Sequence, residues 1–137
     1  MRTILIQCTK TKRDGKAPAY LLYDESALFR KMWNYATLKG DRVYILSAKH
    51  GLVYPEQVLE SYNEFGLSEQ QAERIATRLP KTDVVELVAG KQYTDPLTPE
   101  LEARGYDVIE PFRGMKIGDR MSELDTKING LENETLC

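Results

Sequence analysis

Arg42-Val43-Tyr44-Ile45-Leu46-Ser47-Ala48-Lys49-His50-Gly51 is the stretch on which the fold turns. Four apolar residues in a row, two of them β-branched, run straight into a small polar segment with a glycine. The run is too short for a helix and apolar on both faces, so it reads as a buried strand ending near Ser47. A strand apolar on both faces belongs to a parallel sheet with helices on each side. The pattern repeats outward in both directions. Upstream, Asp24 or Ser26 caps a helix reaching about Lys39 and ended by Gly40, with Leu28, Met32, Tyr35 and Leu38 at helical spacing. Before it, Thr3 to Gln7 is a second apolar strand. Downstream, residues 48–66 read as a long loop, and Ser68 caps a helix with Ala72, Ile75, Ala76 and Leu79 on one face, stopped by Pro80. Asp83 to Ala89 is a third strand. Thr98-Pro99-Glu100 starts a short helix closed by Gly105, Tyr106 to Glu110 is a fourth strand, and a short helix spans about Ile117 to Leu124. The expectation is an α/β fold, a three-layer sandwich around a mostly parallel sheet of about four strands. Residues 1–124 form its single domain, and 125–137 form a polar, acidic tail.

Composition bounds the function. The chain has 137 residues, a formal net charge of −2 from 19 basic and 21 acidic side chains, and 42% hydrophobic residues. That length suits one core, and the charge excludes a uniformly basic nucleic-acid coat protein while leaving room for a local basic patch. Cys8 and Cys137 give no disulfide framework, and with the single histidine they give no zinc site, so neither metal nor cofactor is expected. The apolar run at the N-terminus is far too short for a signal peptide or a membrane span, which points to the cytoplasm.

In an open parallel sheet, ligands bind outside the carboxyl ends of the strands. Those ends lead into Cys8 to Arg13, Ser47 to Gly51, Ala89 to Tyr93, and Pro111 to Lys116, and every segment holds a lysine or arginine. A phosphate-bearing ligand is the natural inference. His50 stands directly beyond a strand end, where an imidazole can donate a hydrogen bond or move a proton near neutral pH, or simply tie its loop to the backbone. Glu60 can return to the same rim as a base or as an anion facing a developing cation, or remain a solvated loop carboxylate. Tyr20, Tyr23, Tyr62 and Tyr93 lie in or beside rim loops, where rings either pack or stack on a base. Cys8 closes the first strand as a small buried group or, activated by His50, as a nucleophile. Gly114-Met115-Lys116-Ile117-Gly118 has the spacing of a helix-hairpin-helix phosphate clamp or of a plain turn.

Ile45 to Val53, followed by Pro55, Leu59, Glu60 and Tyr62, resembles the central motif of the YaaA-like superfamily. Cys8 to Lys12, Ala17 to Tyr23 with Phe29, and the segment Gly114 to Leu124 resemble that superfamily's family of small proteins of unknown function. The resemblance implies DNA binding, protection from oxidative damage, and kinship with uracil-DNA-glycosylase-like folds and base-modification systems. His50 stands where a tyrosine is typical of the group's peroxide-stress members.

These readings combine into one functional expectation: a nucleotide- or nucleic-acid-handling protein, as an N-glycosidase releasing a base. Lys10, Lys12, Lys49 and Arg113 hold phosphate, with Cys8, Ser47 and Tyr62 lining the pocket. Tyr20, Tyr23 or Tyr93 stacks on the base, His50 hydrogen-bonds the departing base, and Glu60 stabilises the oxocarbenium-like sugar. Flipping a base out of duplex DNA costs a few kcal/mol, so free nucleotides and single strands rank ahead of duplex DNA as partners. The alternatives are a non-catalytic DNA- or nucleotide-binding stress protein and a Cys8–His50 hydrolase.

Overall fold

The structure is a computed structural model that describes residues 1–9 and 14–136, excluding the side chains of 133–136. The elements in chain order are β1 (Arg2–Gln7), β2 (Lys16–Pro18), α1 (Ala19–Leu22), α2 (Ala27–Lys39), β3 (Arg42–Ser47), β4 (Gly51–Val53), β5 (Val58–Glu60), α3 (Glu69–Arg78), β6 (Val84–Val88), α4 (Lys91–Ala103), β7 (Asp107–Ile109) and α5 (Ile117–Leu136). The expected three-layer α/β sandwich is what forms. Its sheet runs β4-β3-β1-β6-β7. Strands β3, β1, β6 and β7 are mutually parallel, and β4 adds an antiparallel edge. Helices α2 and α5 pack together on one face, α3 and α4 on the other. The middle strands are buried along nearly their whole length, as their unbroken apolar runs require.

Local chemistry sets the element boundaries. Ser26 Oγ accepts the amide of Phe29, and Ser68 Oγ accepts that of Gln71, so both helices start where a hydroxyl relieves an orphan N–H. Leu79 closes α3 one residue before Pro80.

Three expectations need correction. The loop 48–66 contains two three-residue strands. Strand β4 folds back on β3 as a hairpin, with Ser47 paired to Gly51, and Gly51 takes a positive φ of 76° there. Strand β5 pairs with β2 in a separate two-stranded sheet, Lys16 opposite Glu60. Helix α4 starts at Lys91 and carries Pro96 and Pro99 inside it. The Gln92 carbonyl, which Pro96 cannot serve, accepts the amide of Leu67 instead. Finally, α5 runs beyond Leu124 to Leu136, because Leu124, Ile128 and the half-buried Leu131 continue one face against the core, while Lys31 on α2 pairs with Asp125.

Away from the carboxyl edge lies a buried ion cluster. Glu86, in mid-β6, is fully buried; its Oε1 accepts Arg2 Nη1 at 2.5 Å and lies 3.4 Å from Lys39 Nζ, and its Oε2 accepts the Tyr35 hydroxyl. Tyr35 also accepts from Lys39 Nζ at 2.9 Å. Burial, then the Glu86 carboxylate, pushes the Tyr35 phenol far up.

Candidate ligand-binding crevice

The chain leaves β1 through α2 toward β3, then crosses back over β1 to reach β6 on its other side. The order therefore reverses between β1 and β6. Helices there depart to opposite faces, and a crevice opens above the two carboxyl ends. A crevice of 1210 Å³ lies at this place, bounded by Gln7 and Thr9 after β1, Gly90 at the start of α4, the segment after β7, and Arg120 on α5. Its volume exceeds the roughly 300–1,000 Å³ of ordinary small-ligand sites.

Its floor is built from three distant parts of the sequence. Gln7 is the last residue of β1, and its Oε1 accepts the Gly90 amide at 2.5 Å and Arg120 Nη1 at 2.9 Å. Its Nε2 donates to the Cys8 carbonyl at 3.3 Å. Arg120 is only 5% exposed, yet among the described residues it has no carboxylate partner, and its Nε is buried without a hydrogen bond. Burial pushes its pKa down. Thr98 Oγ1, in the same lining, is also buried without a partner. A Cβ at Gly90 would stand 3.1 Å from Arg120 Nη2, so the glycine lets helix and guanidinium approach closely. The walls are mixed. Lys91, Arg113 and Lys116 contribute cations; Asp95, Glu102 and Glu110 contribute anions, and Arg113 lies 3.8 Å from Glu110. Phe65, 40% exposed, and Ile117, 58% exposed, give the lining an apolar surface.

The residues expected from sequence fall into separate groups. Cys8, Tyr23, Ser47, Tyr62 and Tyr93 gather under the carboxyl ends of β1 and β3. Ser47 Oγ donates to the Tyr62 hydroxyl at 2.8 Å, the Tyr23 and Tyr62 hydroxyls lie 2.5 Å apart, and Cys8 Sγ lies 3.1 Å from the Tyr93 hydroxyl. The Tyr93 hydroxyl also accepts the Gly66 amide at 3.1 Å. All five side chains are buried. Burial raises all three phenols, with the neighbouring Cys8 thiol adding to the rise at Tyr62 and Tyr93. These rings therefore present no face to a base; they form a packed hydroxyl network. His50 sits in the β3–β4 turn with its ring edge-on to Tyr62, 5.6 Å between centroids, and its amide donates to Ser47 Oγ. Gln71 holds the same turn through the carbonyls of Ala48 and Lys49. Burial, then Lys49, pulls the His50 pKa down, while Glu64 opposes. Glu60 is exposed on β5, and Lys49 is exposed in the turn. Tyr20 stacks on Trp33 at 5.7 Å. Arg113 lines the crevice; His50, Glu60 and Lys49 do not. Lys10 and Lys12 lie outside the described residues.

Sequence reasoning passed over Gln7, Phe65, Gly90 and Arg120. One signal was available: Arg120, Leu124 and Ile128 share a helical face at four-residue spacing, which places Arg120 on the stripe that turns inward. Among the described residues no three His, Cys, Asp or Glu side chains gather as a metal-binding group, and no helix is long and apolar enough to cross a membrane.

Fold and crevice together define a doubly wound α/β protein with a crevice at its topological switch point. The chain belongs to a family of unknown function, DUF6884, whose model matches residues 3–126. No curated protein matches it.

Proposed function

We propose that this protein binds nucleotides, or the ends of nucleic-acid strands, in the crevice between β1 and β6. One observation carries the reading. The same crevice is lined by a buried arginine, Arg120, with no carboxylate partner among the described residues, and by an exposed aromatic ring, Phe65. A buried cation calls for an anion, since isolating a charge from water is costly. An exposed ring beside it suits a flat aromatic group, worth about 1–3 kcal/mol in base stacking. A phosphate joined to a base answers both demands.

The base-releasing activity is the finer claim. It needs a group on the departing base and a carboxylate by the sugar, and its candidates His50 and Glu60 stand outside the crevice lining. Binding without turnover is therefore the expected result. The test titrates nucleotides, nucleosides and short single strands by calorimetry, and scans the same mixtures for free base by chromatography. Phe65→Ala should weaken base-bearing ligands by roughly tenfold, the equivalent of about 1.4 kcal/mol. Wild-type protein that takes up no member of the panel would sink the proposal, whereas released base would make it an enzyme.

A further inference from the structure

We propose that the crevice floor is a phosphomonoester site: Arg120 Nη2 and the first amides of α4 hold a terminal phosphate, and Gln7 fixes the guanidinium for it. This rests on the nucleotide reading above and narrows it to ligands with a phosphate at an end.

A guanidinium offers five N–H donors in a rigid planar fork. Here Nη1 is committed to Gln7 Oε1, which also takes the Gly90 amide, so one oxygen ties the arginine to the start of α4. Nη2 makes no hydrogen bond among the described residues, while Nε behind it is buried. Nη2 therefore keeps charged N–H donors for a phosphate oxygen. Alongside it, α4 begins with no side-chain cap at Gly90. The amides of Lys91 and Gln92 have no partner among the described residues either. They are the open positive end of a 13-residue helix. The lone glycine at the junction brings both donor sets within reach of one anion.

Burial selects the kind of phosphate. Arg120 is 5% exposed, so a group meeting it must enter end-on. An internal phosphodiester carries a sugar on both sides and needs an open groove in two directions. A phosphomonoester has one substituent and up to two negative charges. The ligand class is thus a mononucleotide or the phosphorylated end of a strand, not a strand's interior.

The test uses the full chain at fixed ionic strength, because phosphate contacts are screened by salt. Inorganic phosphate, adenosine 5′-monophosphate, adenosine and the diester-linked diadenosine are titrated by calorimetry. The monophosphate should bind at least about tenfold more tightly than adenosine or the diester. Gln7→Glu places a carboxylate against Arg120 and the Gly90 amide. It should lower affinity for inorganic phosphate and monophosphate by about tenfold or more, with a melting temperature within a few degrees of wild type, the new ion pair offsetting the lost Gln7 Nε2 bond to the Cys8 carbonyl. Arg120→Met should do the same, and Gln7→Glu keeps the test open if that variant fails to fold. Undiminished phosphate binding in Gln7→Glu, or equal affinity for monophosphate and diester, overturns the proposal. Nucleoside binding that ignores phosphate would overturn this site while sparing the nucleotide reading. Phosphate binding lost in Gln7→Glu, with nothing gained from a base, would do the reverse.

Discussion

Replacing Glu86 by glutamine separates what holds the fold from what binds the ligand. Glu86 is fully buried and accepts from Arg2 at 2.5 Å and from the Tyr35 hydroxyl, with Lys39 Nζ at 3.4 Å. Glutamine preserves shape and volume but offers one acceptor oxygen. If that oxygen faces Arg2, the new amide faces the Tyr35 hydroxyl, which already accepts from Lys39 at 2.9 Å. Tyr35 must then accept twice and leaves its own proton without a carboxylate. Hydrogen bonds to charged groups contribute about 1.5–3 kcal/mol against about 0.5–1.5 for neutral ones, so weakening two of them costs roughly 2 kcal/mol. Removing one partner of a buried ion pair costs about 3–5 kcal/mol when the other charge is stranded. Arg2 and Lys39 are each 33% exposed and can recover water, which keeps the loss below that range. The expected destabilisation is about 2–3 kcal/mol, or roughly 6–15 °C in Tm for a chain of this size. Urea unfolding followed by circular dichroism measures it, and a cycle with Tyr35→Phe isolates the pairwise part. Phosphate affinity should stay within about twofold of wild type, because Glu86 lies mid-strand and away from the crevice lining. A loss under about 0.5 kcal/mol would refute the reasoning, since that is the ordinary scatter of surface substitutions.

Three further outcomes follow from the geometry. Tyr62→Phe takes away the hydroxyl shared by Ser47 and Tyr23, so it should cost about 1–3 kcal/mol in urea unfolding with little change in nucleotide affinity. His50, the sole histidine, should titrate by NMR with a midpoint below 6.5, its proton favouring the unfolded chain. Its contribution to stability is then complete above 6.5 and is lost as the pH falls from there toward the folded midpoint; a midpoint above 6.5 contradicts this. Gly90→Ala sets a methyl 3.1 Å from Arg120 Nη2 and 3.3 Å from Gln7 Oε1, at a helix N-cap where alanine is the poorer residue by roughly 1 kcal/mol. Calorimetry should show phosphate affinity down by about threefold or more, with no more than about 1–2 kcal/mol lost in urea unfolding.

Long-period features of the sequence announced themselves, and short or composite ones did not. Runs such as Ile4-Leu5-Ile6 and Val43-Tyr44-Ile45-Leu46 are apolar on both faces, and Ser26, Ser68 and Pro80 punctuate the helices between them. Strands β4 and β5 have three residues each, too few to show an alternation. Helix α4 was hidden by its own prolines: Thr98-Pro99 looks like a beginning, and the true beginning at Lys91 has no capping side chain to mark it. In α5, the polar residues Asp125, Thr126, Lys127 and Asn129 between Leu124, Ile128 and Leu131 gave the segment a tail's composition while the apolar spacing continued underneath. The tyrosines misled in another way. Rim position left packing and stacking both open, but the Tyr23 and Tyr62 hydroxyls partner each other while Tyr93 meets Cys8 Sγ and the Gly66 amide, so all three can be buried whole.

The crevice was the least legible part because strand order creates it. Gln7, Gly90 and Arg120 are 83 and 113 positions apart from the first to the others. Apart from Arg120's place on one helical stripe with Leu124 and Ile128, nothing local distinguishes them from a strand-end amide, a loop glycine and a surface cation. They meet because β6 pairs with β1 in parallel, with Ile6 opposite Val88, which brings the residues just beyond both strands level at one edge. Had β6 joined the far side of β3, the same caps, prolines and apolar runs would fold equally well element by element. The Gln7 amide would then face no helix terminus, and Arg120 would have lost the oxygen that anchors it. Burying a guanidinium without a carboxylate is unfavourable in any topology. That this one gathers an amide oxygen, an uncapped helix and a glycine around it is the physical argument for an anion that arrives from outside the chain.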